Sequence, residues 1–294
     1  MIRETTVKGI LNPVRQPDDW FGLKYNMNLY RGCQHRCIYC DSRSRCYQIE
    51  NFDREVIVKM NAVDLLAEHL PRKRIVGTIG TGSMNDPYMP IEKHYNLTGR
   101  SLEVIADNRF PVHVLTKSDL VLKDLETLAE ISKVFAAVSF TVTAADDELG
   151  KKVEPGAPEV SRRFAAMQTL AKRGIHTGVL LMPVLPFIED TPENIRAIVK
   201  LAASHGASYI LPSFGMTLRD RQRDYYYQQL ERLFPGTKRE YIQQFGYRYF
   251  APARNADQLS RLLEEVCQEH QLELSMPKFA PRKVSDGDLQ MALF

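Results

Sequence analysis

The stretch Asn28-Leu29-Tyr30-Arg31-Gly32-Cys33-Gln34-His35-Arg36-Cys37-Ile38-Tyr39-Cys40 gathers three cysteines at spacings of four and three, in a chain that holds only two others, Cys46 and Cys267. Thiols this close in sequence read as a metal-binding loop. A cubane iron–sulfur cluster takes one thiolate per iron, four in all. This run supplies three, which leaves one iron open to a small molecule. Zinc is the first rival, but structural zinc uses four Cys or His ligands, usually as paired elements far apart in sequence. His35, inside the loop, is poorly placed to complete such a set. Three unrelated surface thiols are the remaining alternative.

The rest of the composition fits an ordinary globular protein. The 294 residues suffice for one large α/β domain or two smaller ones. Basic and acidic residues nearly balance, 39 against 36, and the net charge of +3 is too mild to argue for nucleic acid from the global field. Five cysteines, three of them clustered, read as a metal site in a reducing compartment rather than as a disulfide framework. Residues 1–6 carry no apolar core and no cleavage signal. No apolar run approaches the ~18 residues of a membrane span. The expectation is a soluble cytoplasmic protein with no membrane partner.

Working outward from the cysteines, residues 1–24 read as a polar arm in which Pro13 and Pro17 break any helix. Its apolar spot, Trp20-Phe21-Gly22, reads as a lid over one end of the fold. A first strand over 25–30 delivers the cysteine loop. Helices are expected at 61–70, 98–108, 120–132, 158–173 and 191–206, from apolar residues at helical spacing and from Thr191-Pro192 as cap and first helical residue. Between them fall strands at 74–81, 111–116, 134–143, 176–184 and 208–214. Six alternations of strand and helix imply parallel strands and an α/β fold of the partial (β/α)6 TIM-like barrel type. Active sites of such barrels lie at the C-terminal ends of the strands, where the cysteine loop falls. Residues 25–215 form this barrel. Residues 216–294 read as a mostly helical extension with helices starting near 219, 238 and 255, and the tail after Pro281 is polar.

Cys33, Cys37, Tyr39 and Cys40 stand in the register Cys-x3-Cys-x-aromatic-Cys, and here the chain resembles the radical S-adenosylmethionine (SAM) enzymes. With Trp20-Phe21-Gly22 and Asn28-x-Tyr30-Arg31-Gly32 it is most similar to their spore photoproduct lyase-related branch, over residues 10–215. The resemblance implies a 4Fe–4S cluster on Cys33, Cys37 and Cys40, with S-adenosyl-L-methionine on the open iron. It also implies a reductant such as flavodoxin or ferredoxin, and cleavage of SAM to methionine and a 5′-deoxyadenosyl radical that abstracts hydrogen from a substrate carbon.

Further candidates lie at the strand ends. Residues 80–88 read Gly-Thr-Gly-Ser-Met-Asn-Asp-Pro-Tyr, where the resemblance places the SAM amino group. Glycines there allow close approach of a ligand, Asp86 could accept from an ammonium, and Ser83 stands beside it. An ordinary turn reads equally from the same residues. The resemblance gives Lys117 the SAM carboxylate and Tyr39 a place at the cofactor. Ser139, Thr141 and Thr143 alternate and share one strand face, where hydroxyls suit ribose oxygens, though threonine also simply favours strands. Residues 154–158 read as a loop bordering the pocket. Residues 182–186 and 212–214 read as apolar walls, His176 as structural and Cys267 as core. Two departures stand against repair of the thymine photodimer. Ser83 occupies the place of the lyase's hydrogen-donating cysteine, and Asp41 that of a tyrosine. Cys46 is either a substitute donor or an incidental thiol. Two further functional readings stay open: a nucleic-acid-acting enzyme, from Arg43, Arg45, Arg219, Arg221, Arg223 and the tyrosines among them, and a non-catalytic metal-binding or electron-transfer module.

Overall fold

The computed structural model describes residues 1–16, 19–52 and 54–281; Pro17 and the tail after Pro281 lie outside them. In chain order come strands β1 (Ile2–Thr5), β2 (Leu11–Pro13), β3 (Tyr25–Met27), β4 (Tyr30–Arg31) and β5 (Val56–Lys59). Then follow α1 (Ala62–His69), β6 (Ile79–Thr81), α2 (Glu92–Tyr95), α3 (Leu97–Asp107), β7 (Val112–Thr116), α4 (Leu125–Ser132), β8 (Ala136–Thr141), α5 (Asp147–Val153), α6 (Val160–Lys172), β9 (His176–Leu181), α7 (Pro192–Ser204) and β10 (Tyr209–Pro212). The C-terminal part adds β11 (Gly215–Thr217), α8 (Asp220–Leu233), α9 (Thr237–Phe245), β12 (Phe250–Pro252) and α10 (Ala256–Glu269).

The seven-stranded sheet has the order β10-β9-β8-β7-β6-β3-β2. Each neighbouring pair from β3 to β10 is parallel, and β2 closes the β3 edge antiparallel. This is the partial TIM-like barrel, with the helices of the C-terminal region beside it. β8 is buried at all six residues, as a central parallel strand covered on both faces must be. The helices cover the sheet with apolar stripes. On α6 these are Val160, Phe164, Met167 and Leu170 at helical spacing, each worth ~1.5–3 kcal/mol when fully buried. α7 starts as its sequence dictates: the Thr191 hydroxyl accepts from Asn194 N at 3.2 Å, with Pro192 in the first turn.

Among the described residues, segments on both sides of the barrel pack against it. Glu273 bridges to Tyr209 and covers the β10 edge, with Ile210 N donating to Glu273 O at 2.8 Å. Met276 packs in the cluster of Ala137, Leu180, Tyr209 and Leu211, with Phe21 against it. The lid expected from Trp20-Phe21-Gly22 thus divides: the Phe21 ring lies 4.9 Å from that of His113, and Trp20 stays 43% exposed.

The element boundaries differ from expectation in three places. The strand expected over 25–30 breaks after Met27, and β4 joins a second sheet of order β1-β5-β4. Gly32, just after β4, lets the chain pass close to the start of β5, at φ +83° with an ideal Cβ position only 2.3 Å from Glu55 O. The strand expected from 74 starts at Ile79, and Ile75 and Val76 remain 56% and 42% exposed. α5 and the β11–β12 pair were not expected; the latter joins segments separated by two helices. No helix of the described residues is long and apolar enough to cross a membrane.

Candidate active site

The cysteine loop leaves β4 and is splinted by the segment after α5. Ile38 N donates to Val153 O at 2.9 Å and Gly156 N to His35 O at 2.8 Å. The His35 ring adds a contact of 3.0 Å from Nδ1 to Gly156 O. Gly156 is required by this approach, because a Cβ there would sit 2.2 Å from Gln34 O. Cys33, Cys37 and Cys40 are free thiols and line one cavity of about 400 Å³ at the C-terminal ends of the strands, within the size range of small-molecule sites. Burial pushes the Cys33 thiol up to about 12 and raises those of Cys37 and Cys40.

The same cavity is lined by Tyr39, Ser83, Asp86, Lys117 and Thr141. Ser139 is not among its walls. Two residues below Thr141, its hydroxyl lies 2.8 Å from His113 Nε2 and 2.6 Å from the Tyr209 hydroxyl, in the barrel interior. Its expected role as a ribose contact is therefore corrected to a core hydrogen bond. Ser83 hydrogen-bonds Asn26 at 3.1 Å. Asp86 is surrounded by donors: Thr116 Oγ1 at 2.7 Å, Lys117 N at 2.6 Å and Tyr88 N at 2.8 Å, with His35 Nε2 at 3.1 Å in an ion-pair contact that lacks hydrogen-bond alignment. Burial alone would raise its carboxyl, but His35 and these donors outweigh burial and hold it at about 2. Asp86 thus braces the cysteine loop against β7, where the sequence had offered it to a ligand ammonium.

Lys117 follows β7. Its Nζ is 3.9 Å from Glu154 Oε1 and 5.9 Å from the Tyr39 ring centroid. Burial would lower its ammonium, but Cys37 and Glu154 hold it above the ordinary lysine range. Glu154 also accepts from the Tyr39 hydroxyl and pairs with Arg163 at 2.5 Å. Arg163 was missed from sequence. The signal was available: it shares the apolar face of α6 with Val160, Phe164 and Met167, where an unpartnered arginine could not be buried. Trp20, from the segment read as a lid, lines the rim, and Met216 and Phe250, the last 43% exposed, complete it and were missed.

The donor set fits a cubane better than a single ion. Among the described residues, no group of three or more His, Cys, Asp or Glu side chains is arranged to hold one metal ion, so the fit rests on the three thiols sharing one cavity. Three thiols in one cavity match three irons. The other candidates are taken: His35 by Gly156 and Asp86, and Asp41 by the Tyr47 hydroxyl at 3.3 Å and Arg219 at 3.4 Å.

Residues 27–202 match the radical SAM superfamily. The chain belongs to that superfamily. Among curated relatives, this radical SAM protein is 36% identical over 61% of its length to an uncharacterized protein of Methanocaldococcus jannaschii, of which it covers 66%. It is 31% identical over 72% of its length to an uncharacterized protein of Mycobacterium tuberculosis strain H37Rv, of which it covers 64%. The chain thus spans about two thirds of the length of these relatives. At 23% identity over 62% of the chain it also resembles the radical SAM Nalpha-GlyT isomerase of Pseudomonas phage M6, covering 37% of that protein. Among solved structures, spore photoproduct lyase with bound AdoMet and dinucleoside spore photoproduct superposes with a TM-score of 0.68 at 14% identity, over 92% of this chain and 79% of that one. The fold is shared. That superfamily implies a 4Fe–4S cluster and SAM.

Proposed function

We propose that Cys33, Cys37 and Cys40 hold a 4Fe–4S cluster whose open iron takes S-adenosyl-L-methionine, and that the enzyme attacks a substrate at the cavity rim. The observation that carries this reading is the convergence of three free thiols and Lys117 on one cavity. When bound and reduced by a donor such as flavodoxin or ferredoxin, the pair supplies a 5′-deoxyadenosyl radical that removes hydrogen from a substrate carbon. The chain's own part is positioning and exclusion of water. Lys117 offers one cation to a carboxylate. Thr141 and Ser83 offer hydroxyls, and Tyr39 offers an aromatic wall on the cysteine loop. Asp86 holds the loop in register with β7.

Anaerobically reconstituted protein, incubated with SAM and a chemical reductant, is expected to release 5′-deoxyadenosine, and Cys40→Ala is expected to lose both the iron and the cleavage. Undiminished cleavage by Cys40→Ala, or one zinc per colourless chain, sinks the proposal.

A second reading, that the substrate is a nucleic acid, is favoured by a strip of arginines and aromatic rings leading from the rim. Phe250 lines the cavity. The Arg219 guanidinium lies 5.4 Å from the Tyr249 ring and 5.6 Å from that of Tyr47. Arg223 lies 5.8 Å from the ring of Tyr247, which is 94% exposed. Rings and cations alternating along a surface suit unpaired bases and phosphates. Binding of single-stranded DNA or RNA oligonucleotides that weakens steeply with salt supports this reading; binding without a salt slope counts against it.

A further inference from the structure

The three elements that present candidate cofactor contacts meet at one buried carboxylate. Glu154 follows α5 and is 2% exposed. Its Oε1 accepts from the Tyr39 hydroxyl on the cysteine loop and lies 3.9 Å from Lys117 Nζ after β7. Its Oε2 pairs with Arg163 Nη1 at 2.5 Å. Arg163 is itself pinned, donating to Thr141 O at 3.0 Å and to Pro158 O from Nε at 3.0 Å and from Nη2 at 2.8 Å. Tyr39, Lys117 and Thr141 all line the cavity, and Glu154 does not. One carboxylate therefore ties the aromatic of the cysteine motif, the cation after β7 and the end of β8 into one rigid unit.

The charges explain why a carboxylate stands there. Lys117 and Arg163 are both largely withdrawn from water, with side chains 18% and 1% exposed. Two cations in such a place repel each other unless an anion sits between them. Glu154 supplies that anion and leaves one positive charge over, on the cation that reaches the cavity. Without the carboxylate, Arg163 keeps its carbonyl partners while Lys117 loses its fixed counter-charge.

We propose that Glu154 is a positioning residue for SAM: it sets the place of the Lys117 ammonium and the Tyr39 ring, and through Arg163 the end of β8, without touching the cofactor. This rests on the reading of the cavity as a SAM site. It does not concern holding the iron, since the cysteine loop is also tied to the 153–156 segment by two backbone hydrogen bonds.

The test is the dissociation constant for SAM, measured by equilibrium dialysis on iron-loaded protein without reductant, alongside iron content and thermal midpoint. The single tryptophan, Trp20, lines the same cavity, so its fluorescence gives a second readout with S-adenosylhomocysteine on cluster-free protein. Glu154→Gln is expected to keep its iron and bind SAM about tenfold more weakly, a loss of about 1.4 kcal/mol. Tyr39→Phe, which removes one donor and no charge, is expected to weaken binding a few-fold and serves if Glu154→Gln fails to fold. The double variant Glu154→Gln/Arg163→Met separates positioning from mere neutralisation of Arg163. Weak binding that persists in the double variant supports positioning, and wild-type affinity in the double variant overturns it. Unchanged affinity in Glu154→Gln and in Tyr39→Phe overturns it as well. Iron-loaded wild type that fails to bind SAM overturns the reading of the site itself, which these variants alone would not.

Discussion

Replacing Glu189 by Gln is expected to stabilise the protein at neutral pH and to flatten the pH dependence of its stability. Glu189 lies in the turn after β9 and has no exposed surface. Thr143 Oγ1 donates to Oε1 at 2.8 Å and Leu185 N to Oε2 at 2.9 Å. The neighbouring Asp190 carboxylate has its own cation in Arg254, 3.0 Å away. Burial therefore dominates, the charges of Glu154 and Asp190 add to it, and the Glu189 carboxyl rises from 4.5 to about 8. Between these two values the folded protein keeps a proton that the unfolded chain releases, so stability falls as pH rises. The slope is up to about 1.4 kcal/mol per pH unit. Below 4.5 both states are protonated, and above about 8 both are ionised, so the loss is confined to that window. Glutamine keeps the shape and one of the two acceptor oxygens, a cost that does not vary with pH, and it has no proton to lose. Glu189→Gln should match the wild type within about 1 kcal/mol at pH 5, exceed it by about 3 kcal/mol at pH 7, and gain little more beyond pH 8. Urea unfolding followed by circular dichroism across that range measures the difference, and every titration shared by the two proteins cancels from it. A stability difference that stays constant from pH 5 to pH 8.5 refutes the reasoning.

Two further substitutions probe the site's supports. Gly156→Ala forces a methyl group to within 2.2 Å of Gln34 O. It should cost about 1–3 kcal/mol and lower the iron bound per chain; wild-type iron content would show that the splint does not set the cysteine loop. Ser139→Ala removes the hydroxyl between His113 and Tyr209 and should cost about 1–3 kcal/mol of stability. It should leave SAM affinity unchanged, and a weakened affinity would return Ser139 to the cofactor site.

The cysteine motif was legible because all its members lie within eight consecutive residues, so no folding knowledge is needed to bring them together. The barrel was legible for a related reason. Each βα unit is local, and a strand such as Val112–Thr116 declares itself before a helix with its own apolar stripe. Lys117 was placed through the resemblance to the radical SAM enzymes, and Thr141 through its strand face and the convergence of strand ends in this architecture. Ser139 shows the limit of the alternation argument. It shares a face with Thr141 but sits about 6.6 Å deeper along the strand, and at that depth Tyr209 from β10 fills the barrel. A face can be read from period two; depth depends on which side chain comes from across the sheet. Pairings between distant short segments were illegible for a similar reason. β1 pairs with β5 through residues such as Ile2 and Val56, and neither segment carries enough periodicity to announce the other.

The division of the cavity between segments bears on what distinguishes this enzyme from others of its superfamily. The thiols, Tyr39, Lys117, Thr141 and the Glu154–Arg163 pair all fall inside the 27–202 span that matches the superfamily. Trp20, Ser213, Met216 and Phe250 line the same cavity from outside it. The first group surrounds the cysteine loop. The second forms the rim and joins the arginine–aromatic strip through Phe250, whose strand pairs with Gly215–Thr217. Substrate choice should therefore respond to changes at Trp20 and Phe250. SAM binding should respond to Lys117 and Glu154, whose side chains meet beside the Tyr39 hydroxyl of the cysteine loop.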